Sequence, residues 1–296
     1  MNFQILRGTP RTLQITVYSG GTPTDLDANP TIAIVDGNGT AVTTGAVTKP
    51  AGTGIYESVL PAQANLNVLT ATWTGLLATK AVSFSQSYEI VGNLLFTEAE
   101  ARAEQIVGGQ AALSDTAKYS DALIAHWRSV IGDIFESRMG RGVVRRYCRA
   151  RYNGFVGLPL DLTSGYPVLA NGSRLPRPGR GWDISTIISA TVDGVAQTVS
   201  ELEIMDYKLY HTTGSWSWPT SATPGNITIE YEYGPDPVEA ETHQRALDLL
   251  LANAAPSGYP SSATSINTED GTFRITNFPV AVEEFLKRRN HRTTYA

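Results

Sequence analysis

The sequence predicts an α+β chain of two domains, a β-sandwich over residues 1–92 and a helical body over 93–296 that carries a β-rich insertion at about 143–234. Three observations predict it. Apolar residues alternate with period two up to residue 92, a capped helix start at Thr97 then changes the period to three or four, and 296 residues exceed what one ordinary core organises.

Short β-branched runs occupy 13–18, 31–35, 54–60, 69–73 and 81–90, separated by clusters such as Asp36-Gly37-Asn38-Gly39 that supply the positive φ angles of tight hairpins. Leu13, Ile15 and Val17, like Val82 and Phe84, point one face of each strand inward. About seven such segments in this stretch give an antiparallel sandwich of immunoglobulin-like size, read as architecture alone because the Cys pair of that fold is missing.

Thr97 with Glu98 and Glu100 forms a capping box, so a short helix is expected to about Val107. After Gly108-Gly109, Ser114 and Asp115 are positioned to cap a long helix over 115–139, with Leu123, Trp127, Val130, Ile131, Ile134 and Phe135 on one face and Gly140 as its left-handed stop. From Val143 the period is two again. Val192-Asp193-Gly194-Val195 is the clearest hairpin and 228–233 the last strong strand, while 159–182, rich in Pro and Gly, is expected as an exposed loop. Asp236 as cap, Pro237 at the first helical position and Glu239 near the positive end open a further helix with Ala246, Leu247, Leu250 and Leu251 inward, ending at Pro256. A Ser-rich loop over 257–270 precedes a last helix that starts at Pro279, buries Val282, Phe285 and Leu286, and runs into a tail to residue 296.

The net charge of −5 hides a local excess: Arg138, Arg141, Arg145, Arg146, Arg149 and Arg151 fall within fourteen residues that contain no acid. Such a cluster can meet nucleic acid, an acidic protein or helix ends. Low charge content, 17%, suits a surface partly covered by neighbours. A single Cys148 excludes an intrachain disulfide framework, the first residues lack the pattern of a signal peptide, and no apolar run reaches bilayer-spanning length, so a soluble protein of a reducing compartment is expected.

Chemistry-bearing motifs are sparse. None of Lys49, Lys80, Lys118, Lys208 and Lys287 follows Gly, so there is no phosphate-cradling P-loop. His126, His211, His243 and His291 stand in no metal-ligand spacing, and Cys148, flanked by Arg145, Arg146 and Arg149, reads as a buried small residue on a strand face before it reads as a reactive thiol. Asp161, Asp193 and Asp206 occupy turn-like or strand-edge contexts. Trp182, Trp216 and Trp218 with Tyr166, Tyr207 and Tyr210 can form a sugar- or base-stacking platform, or pack the insertion or a subunit interface. These readings lead to no enzyme activity, no cofactor and no metal.

From Thr97 onward the order of parts resembles the head-to-tail connector, or adaptor, family of long-tailed bacteriophages. The residues that carry the likeness are Leu95-Phe96-Thr97-Glu98-Ala99-Glu100-Ala101-Arg102, Phe135-Glu136-Ser137-Arg138-Met139-Gly140-Arg141, Thr228-Ile229-Glu230-Tyr231-Glu232-Tyr233-Gly234 before Pro237-Val238, the stretch 268–274, and Pro279-Val280-Ala281-Val282-Glu283-Glu284-Phe285-Leu286-Lys287. They span roughly the last two hundred residues. The chain departs from the family in its large β insertion and in the first ninety residues, which look like an added immunoglobulin-like decoration.

The resemblance implies a structural virion protein: a homo-oligomeric ring of twelve copies in the neck at the capsid portal vertex, bound beneath the portal protein, offering its other face to a stopper or tail-side connector, and letting genomic DNA pass without sequence-specific binding. Membranes play no part in it. Phe285, Lys287, Arg288, Arg289, His291, Arg292 and Tyr295 are then the expected portal-docking residues, and Arg138, Arg141, Arg145, Arg146, Trp182, Trp216 and Trp218 the expected ring or inter-ring contacts. The competing expectations are a carbohydrate-binding or adhesive phage module, an enzyme, and a direct nucleic-acid binder through the arginine cluster.

Overall fold

The computed structural model describes residues 3–104, 113–116, 118–153, 160–161, 166–167, 184–205, 208–212, 226–254 and 279–289. The chain divides into two compact units, with the boundary between Gly92 and Asn93.

The N-terminal unit is all β. Its strands are β1 (Phe3–Leu6), β2 (Arg11–Thr16), β3 (Tyr18–Ser19), β4 (Thr22–Pro23), β5 (Thr31–Asp36), β6 (Ala41–Val42), β7 (Ile55–Leu60), β8 (Asn67–Leu77) and β9 (Lys80–Val91). They form a five-stranded sheet in the order β1-β9-β8-β5-β6, and two-stranded pairs β2-β7 and β3-β4. Alternation works as the sequence implies: Tyr56, Ser58 and Leu60 of β7, Leu13 of β2, and Ala71 and Trp73 of β8 are buried while their neighbours turn outward. Leu26 donates its backbone N–H to the buried Tyr56 hydroxyl at 2.7 Å. The expected purely antiparallel arrangement is corrected at one strand: β1 pairs parallel to β9, Phe3 against Tyr88 through Leu6 against Val91. A parallel pair needs a long crossover, and here the whole unit separates the two strands.

The β8–β9 hairpin closes in two residues, Ala78 and Thr79, both at positive φ (48° and 69°). No Asn-Gly signal marks this turn. Asp27 stabilises it from outside, its carboxylate accepting the Ala78 and Thr79 N–H groups at 3.1 and 2.8 Å.

The C-terminal unit holds α1 (Glu98–Ala103), α2 (Asp121–Met139), β10 (Arg146–Tyr152), β11 (Leu160–Asp161), β12 (Tyr166–Pro167), β13 (Ile184–Val192), β14 (Val195–Ala196), β15 (Leu202–Met205), β16 (Lys208–His211), β17 (Ile227–Tyr233), α3 (Ala240–Ala254) and α4 (Val280–Arg288). The expected helical body is corrected. A five-stranded sheet, β12-β10-β17-β13-β14, with a three-stranded sheet β11-β16-β15, organises much of this unit, and the chain as a whole is sheet-rich. The sheet carries its own core: Ile227, Ile229, Tyr231 and Tyr233 of central β17 are buried with Ala150 and Tyr152 of β10. It is a layer in its own right rather than an appendage to helices.

Local signals fare unevenly. The Thr97 capping box is complete, Thr97 Oγ1 accepting the Glu100 N–H at 3.1 Å while the Glu100 carboxylate accepts the Thr97 N–H at 2.7 Å. Gly140 ends α2 at φ 72°, and Asp193-Gly194 turns the β13–β14 hairpin at φ 50° and 79°. Two helix starts move. Ser120, not Ser114 or Asp115, caps α2 by accepting the Leu123 N–H at 3.2 Å, because Asp115 is engaged in a separate turn with Lys118 and Tyr119. Pro237 follows a cis peptide and α3 opens three residues later at Ala240. The short strands β11 and β12 fall inside the expected loop 159–182, whose other residues, like Pro256, the Ser-rich 257–270 and the tail from Asn290, lie outside the described residues.

Candidate functional site

The arginine-rich stretch and the end of α4 come together around two acids at the start of α3. Arg141, just past the Gly140 stop, places its guanidinium 2.8 Å from Glu239 Oε2. Arg289, after α4, reaches the same Glu239 oxygen at 3.4 Å and Glu241 at 3.4 Å, and Arg288 reaches the other Glu241 oxygen at 2.9 Å. The chain Arg141–Glu239–Arg289–Glu241–Arg288 therefore ties the exit of α2, the entry of α3 and the end of α4 into one clamp. Burial works to raise the Glu239 carboxyl, but the hydrogen bond and charge of Arg141, the charge of Arg289 and the Thr242 hydroxyl outweigh it and hold the carboxyl below its ordinary value.

Apolar packing seats the same helix. Phe285 is fully buried with its ring 6.1 Å from that of Phe135 in α2, Val282 and Leu286 are buried beside it, and the Arg289 guanidinium sits 5.8 Å over the Phe285 ring. Lys287 pairs with Glu283 one turn back at 3.4 Å and stays exposed.

The remaining predicted arginines are dispersed along the sheet. Arg145 bonds Ser185 Oγ at 2.6 Å and Glu232 at 3.4 Å, while its backbone N–H donates to Asn93 Oδ1 at 3.1 Å. Asn93 in turn donates to the Pro235 carbonyl at 3.1 Å, which fixes the first residue of this unit to the strand end. Arg146 is buried with Nε 3.1 Å from Glu136, and Arg149 faces Glu230 at 3.6 Å. Arg138 is exposed on the last turn of α2. So Arg141, Arg145, Arg146 and Arg149 meet acids of their own unit, and Arg138 and Arg151 are the members of the run most open to solvent. Trp182, Trp216, Trp218, His291, Arg292 and Tyr295 lie outside the described residues.

Sequence reasoning missed the acids that answer these arginines, and it missed Arg128. That residue is 2% exposed in the middle of α2, donates to the Phe96 carbonyl at 2.9 Å and lies 3.2 Å from Glu98. Its signal was an Arg on an otherwise apolar helix face. Arg102 likewise joins α1 to the entry of α2 through the Leu113 and Tyr119 carbonyls and the Asp121 carboxylate, at 2.7, 2.6 and 2.6 Å.

Of the other candidates, Cys148 is buried in the sheet core, which keeps its sulfur from solvent reagents. Burial pushes the His126 imidazole down from its usual value, and His243 lies 3.6 Å from Glu100. Among the described residues no three His, Cys, Asp or Glu side chains gather as a metal site, and no described helix is long and apolar enough to cross a membrane.

No family model matches the chain, and no curated protein matches it. Among solved structures it is similar to a DUF4785 family protein from Legionella pneumophila at 12% identity and a TM-score of 0.23, with 30% of this chain and 26% of that one covered. A likeness that slight, spanning about a quarter of the other protein, carries no argument about fold or function.

Proposed function

We propose that the chain is a head-to-tail adaptor of a long-tailed bacteriophage, with copies closing into a ring beneath a portal so that DNA passes through the centre. The observation that supports it most is the clamped last helix. Phe285 anchors α4 inside and Arg288 and Arg289 hold it to Glu241 and Glu239, so the exposed Lys287 is presented from a fixed support, and the sequence that follows carries His291, Arg292 and Tyr295. Basic side chains on a rigid support suit docking on an acidic partner surface.

A ring closed by rotation needs two unlike faces on each subunit. Exposed apolar side chains on the sheet layer, Ile188 of β13, Val195 of β14 and Met205 of β15, supply candidate material for one of them. The N-terminal unit is, in this reading, an immunoglobulin-like decoration. Within the docking set Phe285 acts as the anchor and the partner contacts fall to Lys287, Arg288, His291, Arg292 and Tyr295. Removing residues 290–296 is expected to abolish co-sedimentation with portal rings while leaving the far-UV spectrum unchanged. Undiminished co-sedimentation of the truncated chain would count against docking through the tail, and absence of rings in electron micrographs of the full chain with portal would end the adaptor reading.

A further inference from the structure

Most arginines of the run are answered at short range: Arg141 by Glu239 at 2.8 Å, Arg146 by Glu136 at 3.1 Å, and Arg145 by the Ser185 hydroxyl at 2.6 Å. Arg149 and Arg151 are not. Arg149 meets Glu230 as an ion pair at 3.6 Å and makes no hydrogen bond among the described residues. Arg151 is exposed and has neither an ion pair nor a hydrogen bond among them.

The C-terminal sheet puts both on one face. Cys148, Ala150 and Tyr152 of β10 belong to the sheet core, so the alternate residues Arg149 and Arg151 point the other way. By the same alternation, Ile227, Ile229 and Tyr231 turn Thr228 and Glu230 of β17 outward, and Ala190 and Val192 turn Thr191 of β13 outward. Register then makes a row across three strands: Arg151 stands opposite Thr228, and Thr228 opposite Thr191. At about 4.8 Å between strands, this row carries a guanidinium and two hydroxyls over about 10 Å. In the next row Arg149 faces Glu230. The other acid nearby, Asp193, sits in the hairpin turn beyond Thr191, two strands away from Arg151.

We propose that this row is a phosphate-contact site for duplex DNA, with Arg151 supplying the charge, Thr228 and Thr191 donating their hydroxyls to phosphate oxygens, and Arg149 reaching the neighbouring phosphate. Arg and Thr side chains are ordinary donors to a nucleic-acid backbone. A planar carboxylate is satisfied by the arginine fork alone and leaves the two hydroxyls idle, whereas a phosphate has oxygens for all three donors, so the row fits a phosphate better than an acidic protein surface. The face of a five-stranded sheet rests on the backbone instead of entering a groove, so contact is indifferent to sequence. Glu230 neutralises part of Arg149 and keeps the grip weak. The site is read from β10, β13 and β17 alone and stands whether or not copies close into a ring.

The test is fluorescence anisotropy of a labelled duplex with the full-length chain, without portal, between about 50 and 200 mM salt. Wild type is compared with Arg151→Gln, Glu230→Gln and Lys80→Gln. Each phosphate contact adds about 0.9 to the slope of log affinity against log salt. Arg151→Gln is expected to make that slope shallower by about 0.9, equally for A·T-rich and G·C-rich duplexes. Glu230→Gln releases Arg149 and is expected to tighten binding and steepen the slope, a gain that a damaged fold does not produce. Lys80→Gln, in the N-terminal unit, leaves the slope unchanged. An unaltered slope in Arg151→Gln overturns the proposal. So does an equal loss in Lys80→Gln, which would make the attraction a matter of net charge alone. Absence of duplex binding at the lowest salt, or binding of polyglutamate in its place, overturns it too and leaves the adaptor reading untouched, since no portal is present.

Discussion

In the N-terminal unit, strand alternation buries Leu13, Tyr56, Ala71 and Trp73, and the ion pair between Lys49 and Asp25 sits at the surface. In the C-terminal unit, Arg102, Arg128, Arg141, Arg146 and Arg289 each reach a carboxylate, several from the interior. Residues 1–92 carry nine charged side chains and residues 93–296 carry forty-two. The difference teaches that one chain uses two ways of fixing its elements: periodic apolar burial in the first unit, and in the second, apolar burial plus bridges between elements distant in sequence. Salt should separate them. Ion pairs weaken with ionic strength and apolar burial does not, so added NaCl is expected to lower the C-terminal unfolding transition relative to the N-terminal one.

The sharpest way to break this contrast is Arg128→Ala. It leaves the Phe96 carbonyl and Glu98 without a buried cation, and a loss of about 3–5 kcal/mol is expected in the C-terminal transition alone, read by urea titration. An equal shift in both transitions would mean the units do not unfold separately. Phe285→Ala should cost about 3 kcal/mol in the same transition by leaving a cavity against Phe135, measured the same way.

Acid and alkali should part the units as well. Glu239 is held below its ordinary carboxyl value by Arg141 and Arg289 despite burial, and Glu100 is held low chiefly by the Thr97 N–H and also by the nearby His243. A depressed carboxyl adds stability that is present above the unfolded value and lost as pH falls through the folded one, so the C-terminal transition should weaken as pH falls below about 4.5. In the N-terminal unit, burial pushes the Tyr88 hydroxyl up to about 12, with Arg11 pulling slightly the other way. The unfolded chain releases that proton near 10, so this unit should lose stability as pH rises from about 10 through about 12. Thermal scans of wild type, Glu239→Gln and Tyr88→Phe check both signs, each substitution flattening only its own limb. The smallest expected effect is Thr79→Gly, which relieves a positive φ in the β8–β9 turn and should raise the N-terminal transition by about 0.5–1 kcal/mol.

Legibility followed the same division. Period two placed β2, β5, β7, β8 and β9, and local chemistry placed the Thr97 box, the Gly140 stop and the Asp193-Gly194 hairpin, because each of those signals sits within a few residues of its effect. Strand β1 was missed because a short edge strand is chosen by its distant partner, here β9. The start of α2 was misplaced because Ser114, Asp115 and Ser120 all offer capping oxygens, and the turn at Asp115 takes one of them out of competition. The arginine run was visible as charge but not as a clamp: Glu239 lies about a hundred residues from Arg141, and Glu232 nearly as far from Arg145. No periodicity marks such pairs. The helical body was overestimated for a related reason, since β10 and β13 become one layer only when β17 inserts between them.

The parallel run of β1 beside β9 bears on how the N-terminal unit answers tension. Its first strand begins and its last strand ends at opposite extremities of one shared ladder, so force applied through the two chain ends slides these neighbours along their axes. All the rungs between residues 3–6 and 88–91 are then loaded together rather than unzipped in sequence. A unit attached in this way resists stretching at the seam where the chain enters and leaves it, and strands β2 to β8 are shielded until that seam gives.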